Sequence, residues 1–321
     1  FYPYQTFIDN NLSQKIYEEN EFLFPMSGVS NINTINCNEN GKYAIYKSDK
    51  FGFNNTYNKI WDKKNIELLL LGDSFIHGAC VDQDKTIAYL MNKATNNSTL
   101  NLGMSGGSIV SQYAILREYS KNFQNINKII IFIFEGNDFW EIIKENNSIL
   151  SKYANETFSQ NLIVKQDLID LFYKKKTEIE LNKVNEKFYR FIFLKNLRKI
   201  IKISEPNIKK THEKNLKIDQ ETINIFKAYL KLINEFKNTK NSKITFVYLP
   251  EFERYNNINY IDNSKKIKNL IKKFGFNFVN VHEELFKQER NPKKFFPFEK
   301  NGHYNEQAYL LISELLIDKI K

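Results

Sequence analysis

The sequence predicts an α/β fold in which a parallel sheet is covered by helices on both faces. From residue 66 onward, short apolar runs of strand length alternate with longer amphipathic stretches, the pattern of strands joined by helical crossovers. Those runs are nearly continuous rather than alternating, 129–134 being the clearest, as expected of strands buried on both faces. Composition agrees, because 42% hydrophobic and 15% aromatic residues over 321 positions supply a packed core and exclude wholesale disorder. The length fits one large domain or two smaller ones.

In chain order, residues 1–60 read as an irregular lead-in with Pro3, Pro25, Gly28 and many asparagines. Within it a short strand is expected at 43–46, and a turn at 49–53 that packs on the domain following at 61–321. Strands are predicted at 66–71, 98–102, 128–134, 243–249 and 276–281. Helices are predicted at 84–95, 108–122, 220–238, 263–274 and 304–319. Between the third and fourth strands the alternation breaks. Residues 139–218 form a helical insertion rich in Lys, Glu, Asn and aromatics, with helical spacing at 164–173 and 188–203. Leaving the sheet beside Asn137, it is expected to roof the site; a hairpin that only buttresses the sheet edge is the alternative.

Four stretches carry chemistry. The strand run ending Leu70-Leu71-Gly72-Asp73-Ser74 delivers a serine to the crevice where open α/β sheets bind ligands. There Ser74 is a candidate nucleophile, although Asp73 and Ser74 are also residue types that cap helices. Leu102-Gly103-Met104-Ser105-Gly106-Gly107 breaks a second strand into glycines, where a backbone N–H can approach a substrate oxygen. Gly136-Asn137-Asp138 ends a third strand, and Asn137 offers an amide donor for an oxyanion. Asn301-Gly302-His303 supplies a candidate general base ahead of the last helix.

In this order the four stretches resemble the blocks of the SGNH (GDSL-type) hydrolases. Gly72-Asp73-Ser74 is similar to the first block, with Phe75 where many members have leucine. Gly103 corresponds to the second-block glycine, Gly136-Asn137-Asp138 to a shortened third block, and His303 to the fifth-block histidine. A bacterial subgroup with a lead-in like Ser48-Asp49-Lys50-Phe51-Gly52-Phe53 before Gly-Asp-Ser-Phe is closer still. The resemblance implies a three-layer α/β/α, flavodoxin-like domain with a five-stranded parallel sheet. It implies Ser74 as nucleophile and His303 as base. The oxyanion hole would be the N–H groups of Ser74 and Gly103 with the Asn137 side chain. It further implies a serine esterase or deacylase acting on an acyl ester, for instance of a glycan. An O-acyltransferase using the same residues, or a weakly active carbohydrate-binding relative, are the alternatives.

One position departs from the pattern. The triad acid of that family lies two or three residues before the histidine, where this chain has Asn301 and Lys300. Asn301 is therefore expected in the triad-acid position, as asparagine serves in some cysteine proteases. Glu299 is a substitute only if the loop bends to bring it in. Asp73 and Asp138 are expected in support, Asp138 by fixing its loop through hydrogen bonds.

Other residues are expected to be structural. His77 near the serine reads as a loop histidine satisfied by backbone, His282 as a lesser rival to His303, and His212 as exposed. Four scattered histidines without paired spacing predict no metal, and the Gly103–Gly107 run lacks phosphate-loop and dinucleotide spacing, so no cofactor is expected. Cys37 and Cys80 are too few for a disulfide framework or zinc site, and sequence leaves their pairing open. A formal charge of +10 comes from scattered lysines, which favours a solvated surface over a nucleic-acid partner. No stretch reaches the ~18 apolar residues of a spanning helix. The chain opens on Phe1 rather than methionine, which leaves room for a preceding signal or membrane tether. The resemblance to the bacterial subgroup implies such a leader and a cell-envelope location, with a cytoplasmic one as the alternative.

Overall fold

In the computed structural model, which describes residues 2–3, 23–191 and 217–320, the lead-in forms a small sheet of its own. Strand β1 (Tyr2–Pro3) runs parallel to β2 (Asn33–Ile35), which pairs antiparallel with β3 (Ile45–Lys47). The loop between β2 and β3 is closed by Asn36 N–H donating to Ala44 O (2.8 Å) and Ala44 N–H to Cys37 O (2.9 Å). The expected turn then follows, organised by the fully buried Asp49. Its carboxylate accepts from the N–H groups of Phe51 (2.8 Å) and Phe53 (3.0 Å), from Asn55 Nδ2 (2.8 Å) and from Trp61 Nε1 (2.7 Å). Four donors make tolerable a burial that would otherwise be costly. Gly52 sits at φ +81°, and a Cβ there would lie 1.9 Å from Gly28 O, so only glycine fits.

The main sheet follows. Its elements are β4 (Asn65–Leu71), α1 (Ser74–His77), α2 (Ile87–Ala94), β5 (Thr99–Asn101), α3 (Ile109–Tyr119) and β6 (Asn125–Phe134). After these come α4 (Asp138–Asn146), α5 (Gln166–Phe191), α6 (Gln220–Lys240), β7 (Lys243–Leu249), α7 (Ser264–Lys273), β8 (Asn277–Asn280), α8 (Val281–Glu284) and α9 (Glu306–Ile320). The strand order is β5-β4-β6-β7-β8 with every pairing parallel, the flavodoxin-like order. The order reverses between β4 and β6, so the ligand crevice lies beyond the carboxyl ends of those two strands.

Strand residues alternate between two apolar layers. Leu69, Leu71, Ile129, Ile131 and Phe246 pack with α3, α6 and α7. Leu68, Leu70, Ile130, Phe132 and Val247 pack with α1, α2 and α9. Because both faces are apolar, the two-residue period of the strands does not show in the sequence. The lead-in is sewn to the sheet by an exchange between two asparagines. Asn55 Nδ2 donates to Asn101 O (3.0 Å), Asn101 N–H donates to Asn55 Oδ1 (2.8 Å), and Asn101 Nδ2 donates to Ile76 O (2.9 Å).

The described part of the insertion buries Leu150, Tyr153, Ile169 and Phe172 in the layer of α3 and α6. Buried Glu118 of α3 collects Tyr153 OH (2.6 Å), Ser159 Oγ (2.8 Å) and the N–H of Leu162 (3.2 Å). Asp170 accepts from the N–H and hydroxyl of Ser30, and Gln166 donates to Gly28 O. These contacts tie the described part of the insertion to α3 and the lead-in. Most of the expected helical spacing at 188–203 lies outside the described residues. Among the described residues no helix is long and apolar enough to cross a membrane.

Four buried carboxyls make stability pH-dependent in a distinctive direction. Burial pushes Asp49 and Asp73 up to about 6 and Glu145 up to about 7, and raises Asp138 well above the usual range. Between the ordinary carboxylate range and these values the folded chain binds more protons than the unfolded one, so stability falls as pH rises. Glu39, Glu67, Glu118 and Asp262 work the other way: burial raises them, but hydrogen bonds and nearby cations outweigh it and hold them low. Their contribution is lost only as pH falls below the ordinary range. His77, pushed down to about 4 by burial, opposes this trend below its ordinary value of 6.5. The decline in thermal melts should therefore be clearest between pH ~6.5 and pH ~8; a Tm that rises across that interval would contradict these shifts.

Candidate active site

Ser74 is presented by a turn that few sequences can make. A Cβ on Gly72 would lie 2.4 Å from Ile76 Cγ1 and 3.1 Å from Phe132 Cβ, so glycine is needed where β4 ends. Asp73 then caps α1, its Oδ1 accepting from Phe75 N–H at 3.0 Å. The single turn of α1 closes on Gly78 at φ +89°. From 71 to 81 every residue is buried except Ser74. The turn thus exposes one nucleophilic side chain, at the switch point of the sheet.

His303 meets that serine. Its Nε2 lies 2.8 Å from Ser74 Oγ, with Phe75 packed against the imidazole at 5.0 Å between ring centres. The histidine loop is fixed from both sides. Tyr304 OH donates to Pro250 O at the end of β7 (2.6 Å), and Asn305 Nδ2 donates to Lys294 O (2.7 Å). Asn305 Oδ1 also accepts from Ala308 N–H, capping α9.

The third partner comes from the lead-in. Glu39 Oε1 lies 3.0 Å from His303 Nδ1, and Glu39 Oε2 accepts from the His303 backbone N–H at 2.6 Å. These partners assign the proton to Nδ1 and leave Nε2 to accept from the Ser74 hydroxyl. Burial pushes the Glu39 carboxyl up, but its bonds to His303 and the imidazole charge outweigh that and hold it below the usual range. Gly302 makes room for the carboxylate, since a Cβ there would lie 2.5 Å from Glu39 Oε2. The loop carrying Glu39 is tied down by a Cys37–Cys80 disulfide, by Asn36 Nδ2 donating to Gly78 O (3.2 Å), and by the Lys42–Asp82 ion pair (2.7 Å).

Asn301 therefore does not occupy the acid position expected for it. It is exposed, and its Nδ2 donates to Glu253 at 3.3 Å. Glu299, also exposed, accepts from Asn291 Nδ2 at 3.1 Å. The carboxylate on the imidazole lies 264 residues away in sequence, beyond any local pattern. The one sequence signal near it is the cysteine pair, Cys37 two residues before Glu39 and Cys80 six after Ser74.

Of the three groups expected to form an oxyanion hole, one already donates within the chain. Ser74 N–H lies in the first turn of α1, where backbone donors lack intrahelical acceptors. Asn137 occupies the N-cap of α4, yet its side chain makes no capping bond, and β6 is paired directly with β4. Gly103 N–H instead donates to Asn101 Oδ1 at 2.9 Å. Glycine is needed there for close packing, because a Cβ would lie 2.5 Å from His77 N. Asp138 accepts from Phe134 N–H (3.0 Å), and burial, with the charge of Asp73 second, pushes its carboxyl well above the usual range.

The other histidines do not join this line. His77 is buried, its Nδ1 is 3.3 Å from Gly103 O, and burial pushes it down to about 4. His282 pairs through Nδ1 with Tyr255 OH at 2.9 Å. His212 lies outside the described residues. Cys37, Cys80 and His303 place metal-ligand atoms within 4.8 Å of one another, but the two sulfurs are bonded to each other.

No protein-family model matches the chain, and no curated protein matches it. Solved structures do. A member of the lipolytic protein G-D-S-L family from Veillonella parvula DSM 2008 is 12% identical with a TM-score of 0.42, over 79% of this chain and 97% of that one. A G-D-S-L family protein from Desulfitobacterium hafniense DCB-2 is 11% identical with a TM-score of 0.41, over 81% of this chain and 100% of that one. Likenesses of this size carry nothing about substrate or activity to this chain.

An imidazole N–H held by a carboxylate gives a proton resonance far downfield of the amides. That signal should be present in the native protein and lost in Gly302→Ala, whose methyl group takes the space of Glu39 Oε2. A variant that keeps the signal would show that Glu39 is not held by the geometry described.

Proposed function

We propose that this chain is a serine-dependent esterase or deacylase acting on an acyl ester. The observation that carries it is the continuous line Ser74 Oγ, His303, Glu39, with hydrogen-bond distances of 2.8 and 3.0 Å. Ser74 attacks the acyl carbonyl while His303 Nε2 takes its proton, and Glu39 stabilises the imidazolium that forms. The oxyanion sits against Ser74 N–H and the Asn137 amide; one such donor is worth roughly 2.7–4 kcal/mol. His303 then returns the proton to the leaving alcohol. Water, activated by the same nitrogen, releases the acyl group from Ser74.

The side chains around Gly136 support a carbohydrate as the alcohol. Trp140 and Tyr260 line a hollow there, and aromatic rings suit the C–H face of a sugar.

A fluorophosphonate should label the native protein at Ser74 and leave Ser74→Ala unlabelled; equal labelling of both would remove Ser74 from the chemistry. With short p-nitrophenyl esters, Asn137→Ala should lower kcat by about 10²–10³-fold with KM nearly unchanged, as expected of a transition-state donor. A change confined to KM would assign Asn137 to ground-state binding instead.

A further inference from the structure

We propose that Glu39 is the orienting carboxylate of this site and that the Cys37–Cys80 disulfide is what holds it there, so that reaction at Ser74 requires the oxidised pair. The proposal rests on the Ser74–His303 chemistry above and adds a positioning element to it.

Apart from the disulfide, the tip of the loop between β2 and β3 is held to the domain by polar contacts alone, chiefly Asn36 Nδ2 to Gly78 O and the bonds of Glu39 to His303. No residue from 35 to 43 is buried, and Tyr43 is 64% exposed. Asn40 Nδ2 reaches Cys80 O only at 3.5 Å, and the Lys42–Asp82 pair lies on the surface, where ion pairs contribute little. The covalent bond is two residues from Glu39, and Cys80 Sγ lies 3.4 Å from His303 Nδ1. The disulfide therefore fixes the loop at the imidazole itself.

The remainder of the lead-in does not need it. Asp49 with its four donors, and the Asn55–Asn101 exchange, hold residues 48–55 to the sheet independently. Breaking the disulfide should thus release Glu39 while leaving the fold in place. The step is a two-electron exchange with a dithiol: the sulfur–sulfur bond opens to two thiols as the dithiol closes to its own disulfide. His303 then keeps Ser74 but loses the carboxylate that sets its tautomer.

The test uses the full chain with a p-nitrophenyl ester, before and after dithiothreitol treatment and removal of the reagent under anaerobic conditions. Glu39→Gln should lower kcat by about 10³–10⁴-fold with little change in KM, the size of effect seen when a triad carboxylate becomes an amide. Glu39→Asp should recover part of that loss. Reduction of the native protein, and the Cys37→Ser/Cys80→Ser double variant, should each lower kcat by roughly 10- to 100-fold, because the released loop is in place only part of the time. Reduction should add nothing in Glu39→Gln, because the carboxylate it would release is already gone. Circular dichroism at the assay temperature separates positioning from stability. Loss of rate in a folded chain supports the proposal, whereas loss that appears only with unfolding overturns it. So does an equal slowing of Glu39→Gln on reduction, or a native protein indifferent to it. A native protein that turns over no ester and takes no fluorophosphonate label at Ser74 would overturn the esterase proposal instead.

Discussion

The candidate site depends on one contact between distant parts of the chain, the two-point grip of Glu39 on His303. One carboxylate oxygen meets Nδ1 and the other takes the backbone N–H of the same residue. The second bond matters as much as the first. It fixes the peptide that carries the imidazole, so ring and backbone are aligned together. Around that contact the structure removes freedom from each participant. Gly302 leaves space for the carboxylate, Tyr304 is tied to the end of β7, and the loop bearing Glu39 is tied to the segment just after α1. Ser74 needs less help, because Gly72 packs closely against Ile76 and Phe132 and Asp73 caps α1.

The lead-in is thus a working part of the domain rather than a prefix to it. It is rich in asparagine, yet Leu23, Phe24, Met26, Val29 and Phe53 are buried in the core. Directed hydrogen bonds add to that adhesion. Asp49 gathers four donors, and Asn101 binds to Asn55, Asn54 and Ile76 at once. Such networks fix position more sharply than a greasy contact would, since every member must be satisfied simultaneously.

Much of the sheet was legible in the sequence because its signals are local. Apolar runs set β4, β6 and β7 within a few residues, and the amphipathic periods of α6, α7 and α9 set those helices. The short α1 was missed as a helix, because four residues carry no period, although Asp73 and Ser74 announce a cap. Ser74, Asn137 and His303 stand out for the same local reason, each following a break in an apolar run or preceding a helix. Glu39 does not. It sits among asparagines with no periodicity, and only tertiary pairing of the lead-in brings it to the imidazole. The role of Gly103 was illegible for a different reason. A glycine at a strand end signals close approach, but not what approaches; here it is the backbone of α1.

The span between Glu39 and His303 has a consequence for how the protein comes into being. During synthesis Glu39 emerges first, Ser74 next, and His303 only after all five strands of the sheet have been made. Until then the Ser74 hydroxyl lacks the imidazole that meets it in the folded chain. The line from Ser74 to Glu39 is completed only when the segment before α9 docks against the end of β7 and that carboxylate.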